Sequence, residues 1–136
     1  MTSETSSATV RQILTIIAVD NLESSGRFYD EVFGWERRID APVYIEYQLP
    51  GGQGLGVYQR ANFANNTGQI PIPTPPAPGT TSTELYFHVD APEISIDRLK
   101  RVGARELSPL QMRDWGDEAA YYADPDNNVI VIARLR

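Results

Sequence analysis

The sequence predicts an α+β domain made of two βαβββ modules, related by pseudo-two-fold symmetry and forming a curved mixed sheet around a cleft. Three observations predict it. Short apolar runs of strand length surround two amphipathic stretches of helical period. Each helical stretch ends on a glycine, Gly34 and then Gly103. The pair Val19-Asp20 recurs as Val89-Asp90 about seventy residues on, the mark of an internal repeat. The expected organisation is one domain over residues 1–136, with module one at 12–60, a Pro-rich linker at 61–82 and module two at 83–134.

Each element has its own warrant. Ile13 to Val19 is almost all apolar and mostly β-branched, which predicts a first strand buried on both faces. Asn21 caps a helix over 22–33, whose Leu22, Tyr29, Val32 and Phe33 recur at helical spacing, and Gly34 stops it. Trp35 to Ile39, Val43 to Leu49 and Gly54 to Gln59 read as three strands, parted by Asp40-Ala41-Pro42 and Pro50-Gly51-Gly52. Residues 61–82 break the pattern. Asn65-Asn66-Thr67-Gly68 reads as a turn, and Pro71, Pro73, Pro75, Pro76 and Pro78 exclude helix and central strand, so the segment is expected to be a linker or surface loop. The order then repeats: strand Glu84 to Val89, helix Pro92 to Val102 with Ile96, Leu99 and Val102 on one face, and strands at Arg105 to Leu110, Glu118 to Tyr122 and Asn128 to Ala133. The first strands of such modules can pair, with the rest curving around a concave floor for a small molecule.

Composition narrows the function. The chain has 136 residues and no cysteine, which removes disulfides, thiolate nucleophiles and sulfur-ligated metal sites. The formal charge of -6, without a Lys/Arg-rich block, argues against a nucleic-acid partner. No stretch approaches the roughly 20 apolar residues of a membrane span, and no basic region precedes an apolar run at the N-terminus, so a cytoplasmic location is expected. Residues 1–9 read as a frayed tail. Gly51-Gly52-Gln53-Gly54-Leu55-Gly56 sits in a hairpin with no helix after it and reads as a turn, not a phosphate loop.

From residue 12 to 134 the chain resembles the vicinal oxygen chelate superfamily of glyoxalases, bleomycin-resistance proteins and extradiol dioxygenases. The resemblance rests on Asn21-Leu22-Glu23-Ser24-Ser25-Gly26-Arg27-Phe28-Tyr29, on Phe33-Gly34-Trp35, and on Trp115-Gly116 followed by Tyr121-Tyr122-Ala123-Asp124-Pro125-Asp126-Asn127-Asn128. It implies a divalent ion held by His, Gln or Glu on the first and last strand of each module. Those positions fall on Leu14, Gly56, Glu84 and Val131, of which only Glu84 can bind a metal, and a shift of register by one residue supplies no further ligand. His88, the sole histidine, shares a strand face with Glu84 but lies about 13 Å along it, too far to share one ion. The expectation is therefore a protein without metal or other cofactor.

The candidate site comprises Glu84, Tyr86, His88, Tyr58, Leu14, Gly56 and Val131, with Glu84 the catalytic acid/base should there be chemistry. Desolvation of Glu84 between Leu14 and Val131 would make it a poised acid, and Gly54 and Gly56 leave room at one wall. Tyrosines flanking one carboxylate suit a small aromatic or cationic organic molecule. The leading reading is thus a small-molecule-binding protein, a homodimer with its clefts near the subunit interface. The alternatives are a lyase, isomerase or dioxygenase that uses Glu84, and a degenerate structural or regulatory domain whose Pro-rich segment binds a partner.

Overall fold

A computed structural model describes residues 9–136, so most of the expected N-terminal tail lies outside the described residues. Module one comprises β1 (Leu14–Val19), α1 (Leu22–Phe33), β2 (Glu36–Ala41), β3 (Tyr44–Gln48) and β4 (Gly54–Gln59). Helix α1 starts and stops on the expected residues. The Asn21 side chain accepts the Ser24 N–H, and Gly34 at φ 68° takes the left-handed conformation that an L side chain resists, its N–H donating to Asp30 O. Its inner stripe of Phe28, Tyr29 and Val32 packs on Ile17, Val19, Ile45, Tyr47, Leu55 and Val57.

Module two repeats the order with β5 (Glu84–His88), α3 (Pro92–Arg101), β6 (Arg105–Met112), β7 (Asp117–Ala123) and β8 (Val129–Leu135). In each module the first and last strands pair in parallel while the other pairs are antiparallel, giving mixed sheets in the orders β1-β4-β3-β2 and β5-β8-β7-β6. The first strands of the two modules do not pair; each is the edge of its own sheet. The modules meet through their helix-covered faces instead. One core joins Tyr29, Tyr47 and Val57 to Leu99, Tyr122, Ile130 and Ile132, and Phe33 and Trp35 of module one pack on Phe87 of β5 at ring-centroid distances of 4.7 and 5.3 Å. Consequently the opposite face of each sheet turns outward.

Two sequence expectations change here. Strand β1 is not buried on both faces: Ile17 and Val19 enter the core, whereas Ile16 on the outward face is 38% exposed and Ile13 just before the strand is 70% exposed. The run of apolar residues therefore records an outward face that one chain leaves uncovered. The linker is not irregular throughout, because Arg60–Thr67 forms α2, ended by Gly68 at φ 68°. No residue of α2 is buried and Gln59 provides no side-chain cap, so neither an apolar period nor a capping residue announced it. The proline-rich remainder has no helix or strand, as expected.

Candidate functional site

Strand alternation sorts the candidate residues onto two outward faces. On the module-one face, Leu14 and Ile16 stand beside Gly54 and Gly56 of β4, with Tyr44 and Glu46 of β3 next to them. A Cβ on Gly56 would collide with the Tyr44 ring and with Ile16 Cγ1, and one on Gly54 with the Arg38 guanidinium and Leu14. The glycines thus seat Tyr44 and Arg38, and the room expected at this wall is filled. Tyr44 OH donates to Glu46 Oε1, and Arg38 Nε donates to Glu46 Oε2 at 2.5 Å. The Tyr44 hydrogen bond, reinforced by Arg38, holds the Glu46 carboxyl below the usual glutamate range, while burial beside that carboxylate pushes the Tyr44 phenol up. Tyr58 completes the face, its ring 5.1 Å from that of Tyr44 and 6.2 Å from that of Phe63 in α2.

On the module-two face, Glu84, Tyr86 and His88 alternate along β5. Val131 lies in register between Tyr86 and Tyr121 and is fully buried beneath its neighbours. Asp117 organises this face. Its Oδ2 accepts from Tyr86 OH at 2.5 Å and lies 2.8 Å from His88 Nε2, and Trp115 Nε1 donates to Tyr86 OH at 2.8 Å. These bonds, from Tyr86 first and His88 second, hold the Asp117 carboxyl below its usual range. A carboxylate has no proton to give, so Nε2 donates, and the His88 side chain is otherwise 56% exposed. Glu84 is exposed in the single chain, not enclosed between Leu14 and Val131 as the sequence leads one to expect.

The divalent ion that the resemblance implies does not fit this donor set. Leu14 and Val131 are hydrocarbon, Gly56 has no side chain, and Glu84 and His88 occupy opposite ends of β5. Among the described residues no group of three or more His, Asp or Glu is placed to hold a metal.

The structure brings Leu14, Gly56 and Tyr58 together on one face and Glu84, Tyr86, His88 and Val131 together on the other, with the shared core between the two sets. It also adds residues the sequence reading missed. Asp117 directly precedes the expected start of its strand; beginning the strand there would have put Asp117, Ala119 and Tyr121 on one face by period two. Arg60 joins a polar hub between the modules. It donates to Asp20 and Thr74 at 2.6 Å and reaches Asp126 at 3.4 Å, while Asp126 also accepts from the Asp20 N–H and Ser25 Oγ, and Asp124 accepts from Tyr29 OH at 2.7 Å. Asp124 and Asp126 are nearly fully buried, and burial pushes the Asp124 carboxyl up. Asp124-Pro125-Asp126-Asn127 reads locally only as a turn, because its partners Asp20, Ser25 and Tyr29 lie about a hundred residues away, beyond the reach of any local pattern.

Comparison with known proteins places this geometry. Residues 12–135 match the glyoxalase-like domain family. A glyoxalase-related enzyme from Fulvimarina pelagi superposes with a TM-score of 0.79 at 28% identity, over 91% of this chain and 87% of that one. A glyoxalase/bleomycin resistance protein/dioxygenase from Nocardioides gives 0.76 at 19% identity, over 98% and 90%. A glyoxalase/bleomycin resistance protein/dioxygenase family enzyme from Burkholderia phytofirmans gives 0.77 at 19% identity, over 93% and 100%. No curated protein matches the sequence.

Proposed function

We propose, from the premise that the chain belongs to the glyoxalase-like domain family, that it is a metal-independent small-molecule-binding protein acting as a homodimer. The observation that carries the reading is the composition of the two outward faces. The family's chelating positions offer one exposed carboxylate, while the same faces present Tyr44, Tyr58, Tyr86 and Trp115 around paired carboxylates. Such walls favour a flat aromatic or cationic organic molecule by stacking and cation–π contact.

The division of the site between two faces supports the dimer. In one chain Tyr58 and Tyr86 stand on the outward faces of two different sheets. A second copy that lays its module-two face over the module-one face of the first would form the cleft twice, and would cover Ile16, Tyr86 and Trp115, now 38%, 39% and 53% exposed. A cytoplasmic setting belongs to the same reading, for a chain without cysteine and, among its described residues, without a helix long and apolar enough to cross a membrane.

The test is the metal content of the purified protein, followed by thermal shift with divalent ions and with a panel of aromatic cations. The reading expects stabilisation by an organic molecule and none by metal. One retained ion per chain would overturn it.

One observation favours a second reading, a metal-free proton-transfer enzyme. The bond from His88 to Asp117 fixes the ring tautomer and leaves Nδ1 as a base, a better-placed candidate than Glu84. Were this the function, Asp117→Asn would abolish turnover with ligand affinity retained.

A further inference from the structure

Between the two modules lies a cavity of ≈ 680 Å³. Its floor is Ile16 and Ala18 of β1 with Phe63 of α2, its roof the linker from Ile70 to Pro75, and its far wall Thr80 to Thr83 leading into β5. Arg60, Asp126 and Asn128 line it as well. The volume lies within the roughly 300–1,000 Å³ usual for small-molecule sites, and most of the lining is hydrocarbon.

Its electrostatics are already settled. Arg60 is bonded to Asp20, Thr74 and Ile72 O and lies against Asp126, two carboxylates to one guanidinium. An anion would find no free cation there and would meet negative charge, while a cation would have to compete with a guanidinium already in place. The polar groups left over are neutral: the hydroxyls of Thr80, Ser82 and Thr83 make no hydrogen bond to another described residue. At the roof, Ile70 and Ile72 are 96% and 83% exposed, the kind of apolar surface at a cavity mouth that a bound molecule covers.

We propose that this cavity is a binding site for an uncharged, largely apolar organic molecule of fused-ring size, with one hydrogen-bonding group directed to the Ser82–Thr83 wall. It shares Ile16 of β1 and Phe63 of α2 with the edge of the module-one face, while no residue of the module-two face lines it. Ile70 and Ile72 close over the molecule, and the hub at Arg60 sets the depth it can reach.

The test uses the neutral fluorophore N-phenyl-1-naphthylamine and its sulfonated anionic relative 1-anilinonaphthalene-8-sulfonate, titrated into the full chain. The neutral probe should bind at one per chain and more tightly than the anion. The double variant Ile70→Ser/Ile72→Ser alters only exposed side chains, and should weaken neutral-probe binding by roughly tenfold, the scale expected on losing apolar contact area. Phe63→Ala should weaken it too, with an unchanged circular dichroism spectrum. Tyr86→Ala, on the module-two face, should leave it unaltered. The proposal is overturned if the neutral probe does not bind, if the linker variant binds it as well as the parent, or if the anion binds better. Loss of binding in Tyr86→Ala with no effect of the linker variant would place the probe on the outward faces, rejecting this site while supporting the reading above.

Discussion

Replacing Tyr29 with phenylalanine removes one oxygen at the junction of the modules, and the structure says what that should cost. The ring is completely buried, its hydroxyl donates to Asp124 Oδ2 at 2.7 Å, and Asp124 is itself 4% exposed. A hydrogen bond to a charged group contributes about 1.5–3 kcal/mol, and the carboxylate left behind loses a donor that water cannot replace. For 136 residues, at about 2.1 cal/mol/K per residue, each kcal/mol moves Tm by about 3.5 °C, so a fall of about 5–10 °C is expected at neutral pH. The pH dependence has a definite sign. Burial already raises the folded-state pKa of Asp124 above the unfolded value, so ionisation in the fold is a penalty, absent at low pH and fully present above the folded pKa. Loss of the tyrosine hydroxyl raises that pKa further. The deficit of Tyr29→Phe should therefore be largest at neutral pH and shrink as the medium is acidified. Urea denaturation followed by tryptophan fluorescence, with Asp124→Asn completing a double-mutant cycle, measures both. A loss below about 0.5 kcal/mol at pH 7, or strict additivity in the cycle, would refute the claim that this bond ties the modules together.

Other expectations follow from the outward faces. Gly56→Ala should destabilise by about 1–3 kcal/mol, because the new methyl group displaces Tyr44, and a Tyr44→Ala background should relieve most of that loss in chemical denaturation. Tyr44 and Arg38 hold the Glu46 carboxyl below its ordinary value of 4.5, so the stability it supplies is present above that pH and lost as pH falls. Melting curves of the parent and Glu46→Gln should accordingly converge on acidification, and a constant gap would contradict the network. If the faces meet between copies, sedimentation equilibrium of the parent should give a dimer at micromolar concentration, and Ile16→Arg or Trp115→Glu should each give monomers that keep the parent's circular dichroism.

Much of this was legible in the residues because it is local. The caps at Asn21 and Gly34, Pro92 opening α3, and the alternation that puts Glu84, Tyr86 and His88 on one face are all decided within a few positions. What stayed hidden depends on distant partners or on the absence of a pattern. Helix α2 buries nothing, so no period marks it, and its last turn is the same Asn65-Asn66-Thr67-Gly68 that reads as a loop. Gly54 and Gly56 looked like open wall because a glycine does not announce which remote side chain will fill its place. Asp117 gains its importance from Tyr86 and His88, two strands away and some thirty residues earlier in the chain, a pairing no spacing rule anticipates. A catalytic role for Glu84 requires burial, which depends on what covers the sheet and not on the strand that carries it.

The placement of the two unlike faces on opposite modules of one polypeptide has a genetic consequence. In a two-fold dimer of the proposed kind, each compartment takes one wall from each chain. A protomer damaged at Tyr58 and another damaged at Tyr86 would each form dimers with no sound compartment. Mixed together, they would form a hybrid in which one compartment inherits both lesions and its twin inherits neither. With random assortment, about a quarter of all compartments would be restored, a case of interallelic complementation between two inactive alleles of one gene. Two lesions in the same wall would restore nothing.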